Sequence, residues 1–171
     1  MLGKIKNLIK NSPLFPLVRP VSDKLIGFRP TDERCWEIIL DYAKKFNVKC
    51  LIETGTHLGR TVDALKNNFT LIYSVELDEI LAKKAQEKFR SEPHIKIIWG
   101  DSAVILPQIL PLIGESKILF WLDAHYSMGV TALGNSITPI ITELKNIFKI
   151  NKEVVILIDD ARDFSWYNVV F

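Results

Sequence analysis

Five acidic residues of this 171-residue chain stand at or just beyond the ends of short apolar runs: Glu53, Glu76, Asp101, Asp123 and Asp159. The first belongs to Glu53-Thr54-Gly55-Thr56-His57-Leu58-Gly59, where two glycines four apart let the backbone turn tightly and approach a ligand before the next helix. This is not the G-x-G-x-x-G loop whose amides receive a pyrophosphate, which disfavours an NAD-dependent oxidoreductase. An acid ahead of the first glycine repels phosphate and suits a cationic ligand, because it can accept from an ammonium directly or through water. Glu76 follows Gly55 by 21 residues, close to the roughly 20-residue offset at which a carboxylate meets ribose hydroxyls in nucleoside-binding βαβ units. A ligand with a ribose is therefore expected. In Trp99-Gly100-Asp101-Ser102, side chains and turn amides can hold an adenine edge, and Asp101 or Ser102 can also cap the following helix.

The reacting side is expected from two further segments, Asp123-Ala124-His125-Tyr126 and Asp159-Asp160-Ala161-Arg162. If their strands are neighbours, Asp123, Asp159 and Asp160 enter one small volume, where a hard divalent cation such as Mg²⁺ relieves their repulsion. The plainer alternative is that Asp159 or Asp160 caps a turn or pairs with Arg162. His125 is the candidate general base, since imidazole titrates near working pH. His57 reads as a loop contact or spacer, and His94, at a strand start, as structural. Cys35 and Cys50 have no metal or redox spacing and read as buried thiols.

These residues need elements to position them. Five apolar runs, 49–54, 70–76, 94–99, 117–123 and 153–159, read as buried strands. Helical periodicity lies between and before them. Thr31 is a plausible N-cap for a helix carrying Cys35, Trp36, Ile39, Tyr42, Ala43 and Phe46 on one face. Residues 78–90 and 136–149 show stripes of the same period, the latter through Ile137, Ile140, Ile141, Leu144, Ile147 and Phe148. Alternating strands and helices predict a doubly wound, Rossmann-like α/β fold: a mostly parallel sheet in three α/β/α layers. Residues 125–136 lack a period and read as a long loop over the substrate cavity, placed where a lid would lie.

Composition sets the outer bounds. With 48% hydrophobic and 25% charged residues, this is the make-up of one globular domain with a sizeable core. Twenty-two Lys and Arg against 20 Asp and Glu give a net charge of +2, too balanced for a dedicated nucleic-acid binder. No run reaches the roughly 18 apolar residues of a spanning helix, and no secretory signal is visible, so a cytoplasmic protein is expected. Residues 1–30 hold six basic residues against Asp23 alone, a formal +5 that leaves −3 for residues 31–171. Leu2, Ile5, Leu8 and Ile9 could form the apolar face of a basic helix resting weakly on an anionic membrane, or simply packing on the domain. An extended segment follows, imposed by Pro13, Pro16, Pro20 and Pro30.

Glu53-x-Gly55-x-x-x-Gly59, Glu76 and Gly100-Asp101-Ser102, in this order at successive strand ends, resemble the cofactor motifs of class I S-adenosylmethionine-dependent methyltransferases over residues 31–160. The resemblance implies that Glu53, Gly55 and Gly59, with Thr54, Thr56 and His57 beside them, hold the methionine end of the cofactor. It implies that Glu76 binds the ribose hydroxyls, and that Leu77, Asp101, Ser102 and Asp123 also line the cofactor. Asp123, Asp159 and Asp160 resemble the chelating set of metal-dependent O-methyltransferases of the catechol and macrolide-sugar types, with Asp123 and His125 as catalytic residues. The W-L-D-A-H-Y and I-D-D-A-R segments resemble small bacterial methyltransferases, implying a hydroxyl acceptor on a small molecule or sugar.

That family normally adds an antiparallel hairpin after the fifth strand, whereas 11 residues follow Asp160 here. A truncated sequence, a naturally short product, or a second copy covering the open edge would each account for this. The rival expectation is a non-catalytic nucleoside-binding or scaffold domain of the same fold.

Overall fold

The computed structural model describes residues 18–20, 31–115, 117–123 and 139–159. The first helix, α1 (Asp32–Phe46), begins where Thr31 Oγ1 accepts the Arg34 amide and ends where Asn47 adopts a left-handed conformation. Asp32 and Glu33 in its first turn and Lys44 and Lys45 in its last complement the helix dipole. After it come β2 (Cys50–Thr54), α2 (Arg60–Leu65), β3 (Leu71–Glu76), α3 (Glu79–Lys88), β4 (Ile95–Trp99), α4 (Ser102–Ile109), β5 (Lys117–Leu122), α5 (Ile140–Ile147) and β6 (Glu153–Ile158). The five strands expected from the apolar runs are these five, each within a residue of its expected ends. A sixth, β1 (Val18–Pro20), comes from the proline-rich segment.

All pairings are parallel, in the order β1-β6-β5-β2-β3-β4. From β2 the chain winds outward through β3 and β4, then returns to β5 and β6 on the other side. The switch point therefore lies between β2 and β5, where α/β sheets place their ligands. Side chains alternate between two cores. Leu51, Ile72, Leu119, Trp121, Val155 and Leu157 pack against Cys35, Ile39 and Ala43 of α1, Val62 and Leu65 of α2, and Ala85 of α3. Cys50, Ile52, Val75, Ile118, Phe120 and Ile156 pack on the other face with Leu106 and Ile109 of α4 and Ile140, Leu144 and Ile147 of α5. Cover on both faces is why the strands read as unbroken apolar runs rather than alternating ones.

β1 pairs Val18 to Ile156, Arg19 to Leu157 and Pro20 to Ile158. Over these residues the β6 edge, expected to stand open, is lined by the chain's own N-terminal segment, and an edge position suits a proline that cannot donate. The expected basic helix near the N-terminus, the 125–136 loop and everything after Asp159 lie outside the described residues. Among the described residues, no helix is long and apolar enough to cross a membrane.

Candidate functional site

The carboxyl ends of β2, β5 and β6 are drawn level by two hydrogen bonds beyond the regular ladder: Asp123 N to Thr54 O and Asp159 N to Leu122 O, each 3.0 Å. On the other side of β2, the amides of Gly55 and Thr56 donate to Val75 O at 2.9 and 3.3 Å. The loop after β2 is thus tied to β3 before it turns. Gly55, His57 and Gly59 take positive φ values of 91°, 49° and 66°, a run that glycine adopts freely and histidine at a cost.

Gly59 serves a purpose beyond this turn. A Cβ there would sit 2.9 Å from the Phe89 ring at the end of α3. Its lack of a side chain therefore lets α3 close on the loop. Lys88 reinforces the closure, its Nζ lying 3.0 Å from Asp63 Oδ2 and 3.5 Å from Gly59 O.

Glu76 ends β3 as expected and is buried. Its carboxylate accepts two backbone amides, His57 N at 2.6 Å on Oε2 and Asp78 N at 2.9 Å on Oε1. A carboxylate has about four acceptor positions, so hydroxyl donors can still be received. Leu77, half-buried, accepts the Trp99 indole N–H on its carbonyl at 3.2 Å. Trp99 is 53% exposed at the end of β4, an apolar ring left on the rim beside Glu76. Past Gly100, Asp101 caps α4 by accepting Ala103 N at 2.8 Å.

Glu53 is buried beneath the loop at 2% exposure. Its Oε2 accepts the Ser74 hydroxyl, and Ser74 Oγ lies 2.6 Å from Thr56 Oγ1. Burial pushes its carboxyl up to about 8, against the pull of hydrogen bonds from Ser74 and Thr61 and with the charges of Asp123 and Glu76 adding to the rise. Glu53, Glu76 and Asp123 therefore sense one another around the end of β2. The nearby cations pair with other carboxylates, Arg60 with Asp32 at 3.2 Å and Lys88 with Asp63 at 3.0 Å.

The structure so brings together Glu53, Thr54, Gly55, Thr56, His57, Glu76, Leu77 and Asp123, with Asp101 and Ser102 at the next strand end. Asp123 and Asp159 stand side by side at the ends of paired strands. Asp160 and His125 lie outside the described residues, and among the described residues no three His, Cys, Asp or Glu side chains gather as a metal set. The other expected residues stand where their chemistry is quiet. Cys35 and Cys50 are buried, with burial pushing the Cys50 thiol up to about 12, and His94 bonds the Lys66 carbonyl at 2.9 Å.

One residue escaped the sequence reading. Glu143 lies inside the apolar stripe of α5, is 1% exposed, and accepts the Ser102 hydroxyl at 2.6 Å. The signal was an acid flanked at helical spacing by Ile140, Leu144 and Ile147.

No family model matches the sequence, and no curated protein matches it. Solved structures are similar at low identity. An O-methyltransferase from Bacillus cereus in complex with SAH is 12% identical with a TM-score of 0.47, over 71% of this chain and 54% of that one. An SAH-bound methyltransferase of Podospora anserina is 16% identical with a TM-score of 0.45, over 72% and 49%. The 23S rRNA methyltransferase ErmE is 19% identical with a TM-score of 0.42, over 60% and 39%. The chain thus spans about half the length or less of each. The fold itself rests on the strand order and the two helical layers, a doubly wound α/β sheet with its acids at the switch point.

Proposed function

We propose that this protein is an S-adenosylmethionine-dependent methyltransferase acting on a hydroxyl of a small molecule or sugar. The observation that carries the reading is Glu76, a buried carboxylate at the end of β3 that is fixed by the amides of His57 and Asp78 and retains acceptor capacity for a ribose diol. The acids Glu76 and Asp123 near the end of β2 support it, since a cofactor with a sulfonium and an ammonium carries positive charge.

When bound, the cofactor supplies an activated methyl group on sulfur. The chain's own residues hold and orient it. Glu76 takes the ribose, Leu77 and the Asp101–Ser102 turn take the base, and the Glu53–Gly59 loop takes the methionine end, with Glu53 beneath it. With the cofactor in place, His125 would take the proton that the acceptor hydroxyl gives up on methylation. Asp123, Asp159 and Asp160 are the residues that would hold Mg²⁺, which would lower the pKa of the reacting hydroxyl. Holding the oxygen in line with the methyl is the larger part of the catalysis.

The test is calorimetric titration with S-adenosylhomocysteine of the wild-type protein and Glu76→Ala, followed by transfer of labelled methyl to hydroxylated acceptors. Saturable binding lost in Glu76→Ala supports the cofactor site. Binding without transfer to any acceptor returns the chain to a nucleoside-binding scaffold, and no binding by a folded protein overturns both readings.

A further inference from the structure

A buried acid on α5 reaches the first turn of α4. Glu143 belongs to α5, the helix that follows the 124–138 segment, and faces α4 across the second core. It accepts the Ser102 hydroxyl, itself buried in the first turn of α4, at 2.6 Å, and lies near the buried Thr54 side chain at the end of β2. One turn further along α5, Asn146 Nδ2 donates to Ala103 O at 3.0 Å. Two polar clamps therefore hold α5 to the same turn of α4 that presents Asp101 and Ser102.

The position is apolar by every other measure. Ile140, Leu144 and Ile147 surround it on α5 and are buried, and a leucine at 143 would continue their stripe. A buried carboxyl is costly where an aliphatic side chain packs equally well. Its hydrogen bond runs to the start of α4, a segment of the candidate cofactor site. The groups facing it there are Thr54 from β2, Ser102 from α4, and the negatively charged Asp101, which caps α4.

We propose that Glu143 is a positioning residue: it fixes the first turn of α4, which presents Asp101 and Ser102, against α5, and the cofactor site described above is aligned only while that link holds. The inference rests on the cofactor reading and deepens it. Burial, the leading cause, pushes the Glu143 carboxyl up to about 7, with Asp101 adding to the rise. The link thus changes charge within the working range, and its loss of a proton places an uncompensated negative charge beside Asp101. A merely structural residue would not impose such a pH dependence on ligand affinity.

The experiment measures the affinity of the full chain for S-adenosylhomocysteine between about pH 5.5 and about pH 8.5, alongside thermal unfolding, for wild type, Glu143→Gln and Glu143→Leu. Wild type is expected to show an inflection near neutrality. Glu143→Gln keeps an acceptor for Ser102, so it should retain affinity and flatten the inflection. Glu143→Leu should unfold no earlier than wild type yet bind at least about tenfold more weakly, the loss of roughly one charged hydrogen bond. Should Glu143→Leu fail to fold, the Glu143→Gln profile decides alone: a flattened profile supports the proposal and an unchanged inflection overturns it. Wild-type affinity and profile in a folded Glu143→Leu overturn it while leaving the cofactor reading intact. No binding by wild type overturns both.

Discussion

The His57 amide donates to Glu76 Oε2 at 2.6 Å, joining the loop after β2 to the acid that ends β3 across 19 residues of sequence. The bond explains why His57 accepts a left-handed φ of 49°: the unfavourable turn aims its N–H at a buried carboxylate, and a hydrogen bond to a charged acceptor contributes about 1.5–3 kcal/mol. Loop geometry and the acid that ends β3 are therefore one structure. Replacing Glu76 by glutamine leaves a single acceptor oxygen for two amides. We expect Glu76→Gln to lower stability by about 1–3 kcal/mol, seen in chemical unfolding, and to weaken S-adenosylhomocysteine binding by more than about tenfold.

Gly59 is required on two counts, its φ of 66° and the Phe89 ring 2.9 Å from the place of a Cβ. Gly59→Ala should cost about 1–2 kcal/mol for the backbone and about 1–3 kcal/mol for crowding. Each kcal/mol lowers the melting temperature by about 2–4 °C in a chain of this size. Adding Phe89→Leu should recover part of the crowding cost and none of the backbone cost, a pattern that a double-mutant cycle in calorimetry reads directly.

Burial raises the Glu53 carboxyl from 4.5 to about 8. The folded protein holds this proton more tightly than the unfolded chain does. Glu53 therefore favours folding fully below its unfolded value, and that contribution is lost as the pH rises through about 8. Glu53→Gln cannot ionise, so its melting temperature relative to wild type should become more favourable from about pH 5.5 to about pH 8.5. A pH-independent difference would sink the assignment of a neutral, buried Glu53.

Asp123 and Asp159 end paired strands with their backbones in register. If they are part of a Mg²⁺ site, saturating Mg²⁺ should raise the melting temperature of wild type but not of Asp123→Asn or Asp159→Asn. Equal Mg²⁺ effects in all three proteins would overturn the site.

The sequence alone determined the five long strands, their helical connections and the acids that end them, because each strand is a short apolar run that stops at a polar residue. Both faces of the sheet are covered, so these runs are unbroken and stand out locally. Thr31 and Asp101 were likewise legible as helix caps, since a cap is made with residues two or three places away. The tertiary structure decided what depends on distant partners. Strand order put β5 beside β2 and so gathered Glu53, Glu76 and Asp123 around one strand end. Gly59 owes its lack of a side chain to Phe89, 30 residues later, and Glu143 meets Ser102 across 41 residues. Three residues of a proline-rich segment found a partner only when β6 presented an edge to them. A side chain's burial and its partners are properties of packing, and no local pattern of residue types carries them.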